Sequence, residues 1–473
     1  MQAAAQDIPT GKRSTGKWKV LREALAGTEQ DFTEGSLTRG IALLAIPTML
    51  EMVMESTFGL VDAFWVARLG ADAMAAVGLT ESLVVLVFSV AMGLSVAATA
   101  TVARRIGEKD RDGASVAAVQ AIGCGMIISL VTGIAGAVFA PRLLGLMHAS
   151  PDVIRTGSGY TRVLLGGNVS IILIFLINGV FRGSGDAATA MRTLWLANLI
   201  NMALDPCFIY GFAGFPKLGV MGAAVATTTG RSIGVLYQLA MLLGGKGRVA
   251  IARRHLRWDG PVLGRLLRLA RTSSLQYFIG IASWVSLARI NAAFGSAAVA
   301  GYTIAIRIIM FALMPSWGIC TAAATLVGQN LGAKRPERSE RAVWLGGMYN
   351  MAFLTLVGIV FFAWAPLLVR LFTDPSVAPF AEACLKFVSL GYPFYAWGMI
   401  MEQAFNGAGD TVTPTWINLF CYWMLQIPLA WGLAQTAGFG PRGVYLAICG
   451  AESVLAVVSV ILFRRGKWKL VTV

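Results

Sequence analysis

The sequence predicts an all-α polytopic membrane protein: twelve transmembrane helices in two six-helix lobes, related by a parallel repeat about an axis along the membrane normal. Three observations carry this expectation. Hydrophobic residues make up 56% of the 473 residues and charged residues only 13%, about half of the roughly 25% found in soluble domains. Hydrophobic segments recur at near-regular spacing, and the second half of the chain repeats motifs of the first. A mean hydropathy of +0.68 and 53 glycines agree, because small residues let transmembrane helices approach closely.

Residues 1–36 form a polar, basic tail with Lys12, Arg13, Lys17, Lys19 and Arg22. It lacks the apolar core of a secretory signal peptide and suits contact with anionic lipid. Twelve hydrophobic spans follow, at 41–66, 74–102, 115–139, 158–181, 190–211, 219–243, 266–294, 298–327, 343–364, 380–405, 413–434 and 443–463. Several exceed the ~20 residues needed to cross a bilayer, so tilt or extension beyond it is expected. The domains then read as the tail 1–36, an N-terminal lobe 37–243, a basic linker 244–265, a C-terminal lobe 266–464 and a second tail 465–473.

The repeat fixes the symmetry. Ala97-Ala98-Thr99-Ala100-Thr101-Val102 returns about 225 positions later as Ala322-Ala323-Ala324-Thr325-Leu326-Val327. Phe181-Arg182-Gly183-Ser184-Gly185-Asp186 returns as Phe405-Asn406-Gly407-Ala408-Gly409-Asp410, and Ala140-Pro141 as Ala365-Pro366. The shift spans six helices, an even number, so both halves share one orientation. Parallel six-helix repeats around a central cavity are a transporter architecture.

The net charge of +15 does not mark a nucleic-acid binder, which gathers its charge in one soluble patch. The cations fall in the tails and alternate loops: Arg104, Arg105, Lys109 and Arg111 in one, Lys246 to Arg265 in the linker, Lys334 to Arg341 in a third, Arg464 to Lys469 at the end. By the positive-inside rule both termini are cytoplasmic. A multi-pass protein of the plasma (inner) membrane is expected, with no nucleic-acid partner. The six cysteines lie in apolar stretches without a C-x-x-C, and the two histidines are far apart, so no zinc or haem site is expected.

Ionisable residues inside the spans are the most informative. A carboxylate at mid-bilayer costs on the order of 2.5–3.5 kcal/mol, so it faces a cavity or a partner. Glu51, Glu55 and Asp62 of the first span lie on one stripe at about 100° per residue. Asn201 and Asp205 share a face of the fifth span, followed by Pro206, which weakens the local helix. Asn178 and Tyr160 belong to the fourth. Neighbouring carboxylates in low dielectric repel, so this group suits either a bound proton or a hard cation such as Na+ held at Asp62, Asn178, Asn201 and Asp205; a purely structural hydrogen-bond network is the third option. Glu402, the repeat equivalent of Asn178, is a further cavity acid, with Arg307 as its expected partner. The C-terminal lobe reads as the less acidic. Aromatic and methionine side chains are mostly packing residues, and those facing a cleft suit flat lipophilic cations. No Walker A motif, dinucleotide fingerprint or H-E-x-x-H is present, and no cluster suggests an enzyme.

From about residue 37 to 464 the chain resembles the multidrug and toxic compound extrusion (MATE) family. The resemblance rests on Ile46-Pro47, Val61-Asp62-Ala63-Phe64, Leu69-Gly70, Gly78-Leu79, the Gly107 and Gly332 loops, the Phe181–Asp186 motif and its repeat, Asn201 with Leu204-Asp205-Pro206, and Gly219-Val220-Met221-Gly222-Ala223-Ala224. It implies a secondary antiporter that exports cationic or amphipathic organic compounds in exchange for H+ or Na+ by alternating access, with no cofactor besides the coupling ion, working as a monomer in the lipid bilayer. It also implies an ion site of Asp62, Asp205, Asn178, Asn201 and Tyr160. Glu51 and Glu55 lie outside the family pattern, and the acidic position some branches use on the seventh helix is here Gln276 or a neighbour. The alternative is a lipid-linked oligosaccharide flippase, which wants a cationic cavity for a pyrophosphate and is disfavoured by the acidic stripe.

Overall fold

A computed structural model describes residues 16–27, 30–245, 247–370 and 374–472; Lys12, Arg13 and Lys246 of the basic segments lie outside them. The described residues are helical almost throughout. The tail contributes a short helix, α1 (Lys17–Ala26). The first lobe holds α2 (Leu37–Ala67), α3 (Ala71–Gly107), α4 (Arg111–Leu146), α5 (Pro151–Gly166), α6 (Asn168–Ser184), α7 (Ala187–Tyr210) and α8 (Val220–Leu243). The second holds α9 (Gly260–Ala292), α10 (Ser296–Gly332), α11 (Pro336–Arg370), α12 (Ala378–Leu390), α13 (Tyr392–Ala408), α14 (Val412–Asn418), α15 (Ile427–Trp431) and α16 (Pro441–Arg464). The pairs α5–α6 and α12–α13 each make one broken span, and α14–α15 is continued by widened turns at Leu419–Gln426 and Gly432–Thr436; Pro428 withholds a backbone donor from the first of these.

The repeat is visible helix by helix. Shifted by about 225 positions, Ala71–Gly107 falls on Ser296–Gly332 and Asn168–Ser184 on Tyr392–Ala408. Local chemistry repeats as well. Asp186 caps α7 by accepting from the Thr189 amide at 3.0 Å, and Asp410 does the same for Thr413 at 3.2 Å. Gly185 (φ 93°) and Gly409 (φ 86°) end α6 and α13 in the left-handed conformation that favours glycine.

Among the described residues, eight helices are long and apolar enough to cross a membrane by length and composition. The other four spans are α7, α8, α9 and α12–α13. These carry polar groups such as Asn198, Asn201 and Asp205, Arg231 and Gln238, Gln276, and Glu402. On the outside of the bundle, Leu130, Val131, Ile134 and Val138 of α4 and Leu356 and Ile359 of α11 are exposed. An apolar surface of this extent is what a bilayer covers.

The lobes meet along two seams, α2 with α10 and α3 with α9, and the repeat exchanges one seam for the other. Three hydrogen bonds pass directly between the lobes among the described residues. All lie near the face that carries both tails, called the basal face below. The Thr325 hydroxyl donates to the Arg182 carbonyl at 3.1 Å, the Gln329 amide to the Gly183 carbonyl at 2.9 Å, and the Tyr349 hydroxyl to Thr38 at 3.3 Å. Here Gly107 lies against the Gln329 backbone and Gly332 against the Arg104 backbone, a contact no side chain would permit.

The end of the tail, residues 30–36, is docked across this face. Phe32 is buried against α10, and Arg335 and Arg338 donate to the Thr33 and Glu34 carbonyls, each at 2.8 Å. The C-terminal segment mirrors it. Trp468 is buried and stacks on Phe463 at 4.7 Å, Lys469 pairs with Glu340 of α11 at 2.6 Å, and Arg104 of α3 donates to the Val471 carbonyl. The linker folds onto α4, where Gln120 donates to the Arg257 carbonyl at 2.6 Å and His255 meets Asp112 at 3.0 Å.

Two outcomes follow from the basal packing. Gly332→Ala must push the Arg104 backbone away, so it is expected to destabilise purified protein by about 1–3 kcal/mol, whereas Gly280→Ala, facing open space, leaves the melting temperature unchanged. The turn that seats Phe32 is pH-sensitive. Burial pushes the Asp31 carboxyl up from its ordinary value of 3.8, but hydrogen bonds from Thr33 and the charges of Arg248 and Lys109 outweigh it and hold it lower. A depressed carboxylate stabilises fully above the unfolded value and loses that contribution as pH falls through the folded one. Amide exchange at residues 30–36, corrected for intrinsic rate, is therefore expected to stay slow above pH 5 and to rise below about pH 4.

Candidate functional site

A cavity of about 510 Å³ lies between the lobes and is lined by both. Its floor is the basal seal, at Thr99, Arg182, Ala324 and Asn406. Its walls are largely apolar and aromatic. Tyr277 and Trp317 stack nearly parallel, 14° between planes at 6.0 Å, with Trp284, Met310 and Met314 beside them.

The acidic stripe of α2 exists, but its first two members are paired. Glu51 is fully buried, and its Oε1 accepts from Arg182 Nη1 of α6 at 2.9 Å and from Asn178 Nδ2 at 3.0 Å. Arg182 also donates to Ser95 at 3.2 Å, and Gln238 of α8 donates to Asn178 Oδ1 at 2.6 Å. One turn on, Glu55 lines the cavity and accepts from Arg231 Nη2 of α8 at 3.2 Å and from Asn198 Nδ2 of α7 at 2.9 Å. The Arg231 guanidinium lies 5.6–5.9 Å from the ring centroids of Phe58, Phe88 and Phe175, close enough for cation–π attraction. These arginines replace water as partners, which is what a carboxylate buried in a bundle requires.

Asp62 and Asp205 differ. Oδ1 of Asp62 and both oxygens of Asp205 are buried without a hydrogen-bond partner. Asp62 and Asp205 interact electrostatically, Tyr160 lies within reach of both, and Glu81 and Arg231 lie within reach of Asp62. Asn201, one turn before Asp205, donates to Thr227 at 2.9 Å and leaves its Oδ1 unpartnered.

The sequence-derived set thus divides in two. Asp62, Asp205 and Tyr160 form one group, with Asn201 one turn away, while Asn178 is engaged by Glu51 and Gln238. Sequence reasoning did not assign the roles of Arg182, Asn198, Arg231, Thr227 and Gln238. A signal existed for two of them: Arg231 stood inside a predicted span needing a counter-charge, and Asn198 lies one turn from Asn201 on α7. Among the described residues no cluster of three His, Cys, Asp or Glu is placed to hold a metal ion.

The second lobe answers the first with roles exchanged. The repeat carries Glu51 onto Gln276 and Asn178 onto Glu402. Glu402 accepts from Gln276 and, at 2.9 Å, from Asn418. An acid–amide pair therefore recurs with the acid on the other helix. The expected partner of Glu402, Arg307, instead acts on Glu81 of α3. Glu452 of α16 also lines the cavity, near Tyr422 and Glu402. Neither Glu402 nor Glu452 has a cationic partner among the described residues, so the second lobe presents more unpaired acid to the cavity than its sequence suggested.

The MatE family model matches residues 47–207 and 269–431, one match in each lobe. The chain belongs to the MATE family. A "Probable multidrug resistance protein NorM" of Thermotoga maritima is 27% identical over 90% of this MATE chain and 92% of its own. A protein of Shewanella oneidensis described as an FAD transporter is 25% identical over 82% and 86%. A solved structure described as the outward-facing conformation of a multidrug resistance MATE family transporter superposes with a TM-score of 0.87 at 28% identity, covering 93% of this chain and 98% of that one. MATE family members are integral membrane transporters of small organic compounds, not enzymes, and the relatives of this chain support drug or toxin efflux.

The paired acids yield a double-mutant test. Arg182→Gln strands the Glu51 carboxylate and is expected to cost about 3–5 kcal/mol of stability. Glu51→Gln with Arg182→Gln should recover a large part of that loss, read as thermal melting of the purified protein.

Proposed function

We propose that this chain is a secondary antiporter that exports cationic or amphipathic organic compounds in exchange for H+ or Na+. One observation carries the reading: the carboxylates of buried Asp205 and half-buried Asp62 lie within electrostatic reach of each other, with three buried oxygens free of hydrogen-bond partners. Neighbouring acids in low dielectric favour uptake of a proton or another small cation. The aromatic and acidic cavity between the lobes suits a flat organic cation.

The positive-inside rule places the basal face, with both tails, in the cytoplasm of a plasma-membrane protein. The seal is then the inner gate, and the described state faces outward. H+ or Na+ entering from outside neutralises Asp62 and Asp205. That removes their attraction for a cationic substrate, which leaves, and lets the lobes, residues 37–243 and 266–464, rock about the linker 244–265. The substrate and ion must weaken each other's binding for a gradient to drive export. A single chain contains every part of this cycle, so the functional unit is the monomer. A pyrophosphate-carrying flippase suits the cavity poorly, because the arginine among its described lining residues, Arg182, is already paired with Glu51.

Purified protein in proteoliposomes is expected to expel an ethidium-like dye when an inward H+ or Na+ gradient is imposed. Asp62→Asn and Asp205→Asn should each reduce that efflux at least about tenfold while leaving the melting temperature intact. Full gradient-driven efflux in Asp62→Asn overturns the scheme.

A further inference from the structure

A second cavity, of about 390 Å³, opens on the outside of the second lobe at the basal face. It lies between the end of α13, the start of α14 and the end of α16. Its apolar part includes Val412, Trp416 and Phe420, of which Trp416 is 65% exposed. Its basal rim carries Arg465 and Lys467. Both are exposed, and neither has a hydrogen-bond or ion-pair partner among the described residues. The acid in the lining, Asp410, is committed to capping α14, with its oxygens on the Thr413 amide at 3.2 Å and hydroxyl at 2.7 Å.

The repeat supplies an independent argument. Asp410, Val412 and Trp416 correspond to Asp186, Ala188 and Arg192 of the first lobe, and both aspartates cap the next helix in the same way. In the first lobe this position is filled by the chain itself. Gly27, just after α1, packs against Ala188 and Asp186, and Arg192 donates to the Leu25 carbonyl at 2.7 Å. In the second lobe no described segment takes that place.

We propose that the groove of the second lobe binds one anionic phospholipid, as a fixed structural lipid. Its phosphate would sit between Arg465 and Lys467, and an acyl chain would lie along Val412, Trp416 and Phe420. The placement matches the chemistry. An exposed tryptophan and two unpaired cations at the end of a span belong at the headgroup level of a bilayer, and basic pockets between helices there select anionic headgroups. The lipid would do for the second lobe what residues 25–27 do for the first.

The test is lipid retention by the purified full-length chain, read by native mass spectrometry from micelles doped with equal amounts of phosphatidylglycerol and phosphatidylcholine. The expected result is retention of one phosphatidylglycerol with a preference of about tenfold. Arg465→Ala with Lys467→Ala should bring the preference to parity without changing the melting temperature. Trp416→Ala should weaken retention of both lipids. An unchanged preference in the double variant overturns the proposal. So does complete displacement of phosphatidylglycerol by millimolar inorganic phosphate, because the site would then read a free anion rather than a lipid.

Discussion

A carboxylate inside a bilayer must be paired, protonated or bound to a cation, and this constraint organises the first lobe. Glu51 and Glu55 are paired, with Arg182 and Arg231, and so bind α2 to α6 and α8. Asp62 and Asp205 are left without such partners. The stripe on α2 is therefore two structural acids followed by one available acid. The arginines make the distinction: each hydrogen-bonds one of the first two acids, and neither hydrogen-bonds Asp62. Packing follows the same division. Amides on α6 and α7, Asn178 and Asn198, add a second donor to each of the paired acids, which fixes the rotation of α2 against the rest of the lobe.

The second lobe solves the same problem with different residues. Its acid sits on α13 rather than on the first helix of the lobe, and amides replace arginine as partners. Duplication preserved the place where an acid meets an amide but not which helix supplies which. The cavity between the lobes thus has a charge-compensated wall on one side, where Glu55 meets Arg231, and an uncompensated one on the other, at Glu402 and Glu452.

Much of the architecture was legible in the sequence because its signals are additive. Hydrophobic length marked each of the twelve spans, and the spacing of Phe181–Asp186 and Phe405–Asp410 set the symmetry. The four spans of lower apolarity hold many of the site's polar groups, so the hydropathy signal weakens where function concentrates. The pairing of charges was less legible. Helical periodicity places Glu51, Glu55 and Asp62 on one face but says nothing about what α6 or α8 brings opposite. Arg182 looked like part of a turn motif, and its guanidinium meets Glu51 only after two helices have packed. The docked tails were hidden for the same reason: Phe32 and Trp468 sit in polar, basic stretches, and only the closed basal face gives them a hydrophobic seat.

The glycine contacts at that face have a consequence for how such a carrier avoids leaking. Where Gly107 meets the Gln329 backbone and Gly332 meets the Arg104 backbone, main chain closes the gate against main chain. A gate of side chains can open by one rotamer flip and admit water or protons while the rest stays shut. A gate of backbone has no such partial state. In the proposed cycle it yields only when the helices bearing it separate as rigid bodies, so passage at this face is tied to the whole-lobe movement, and an ion has no shortcut past it.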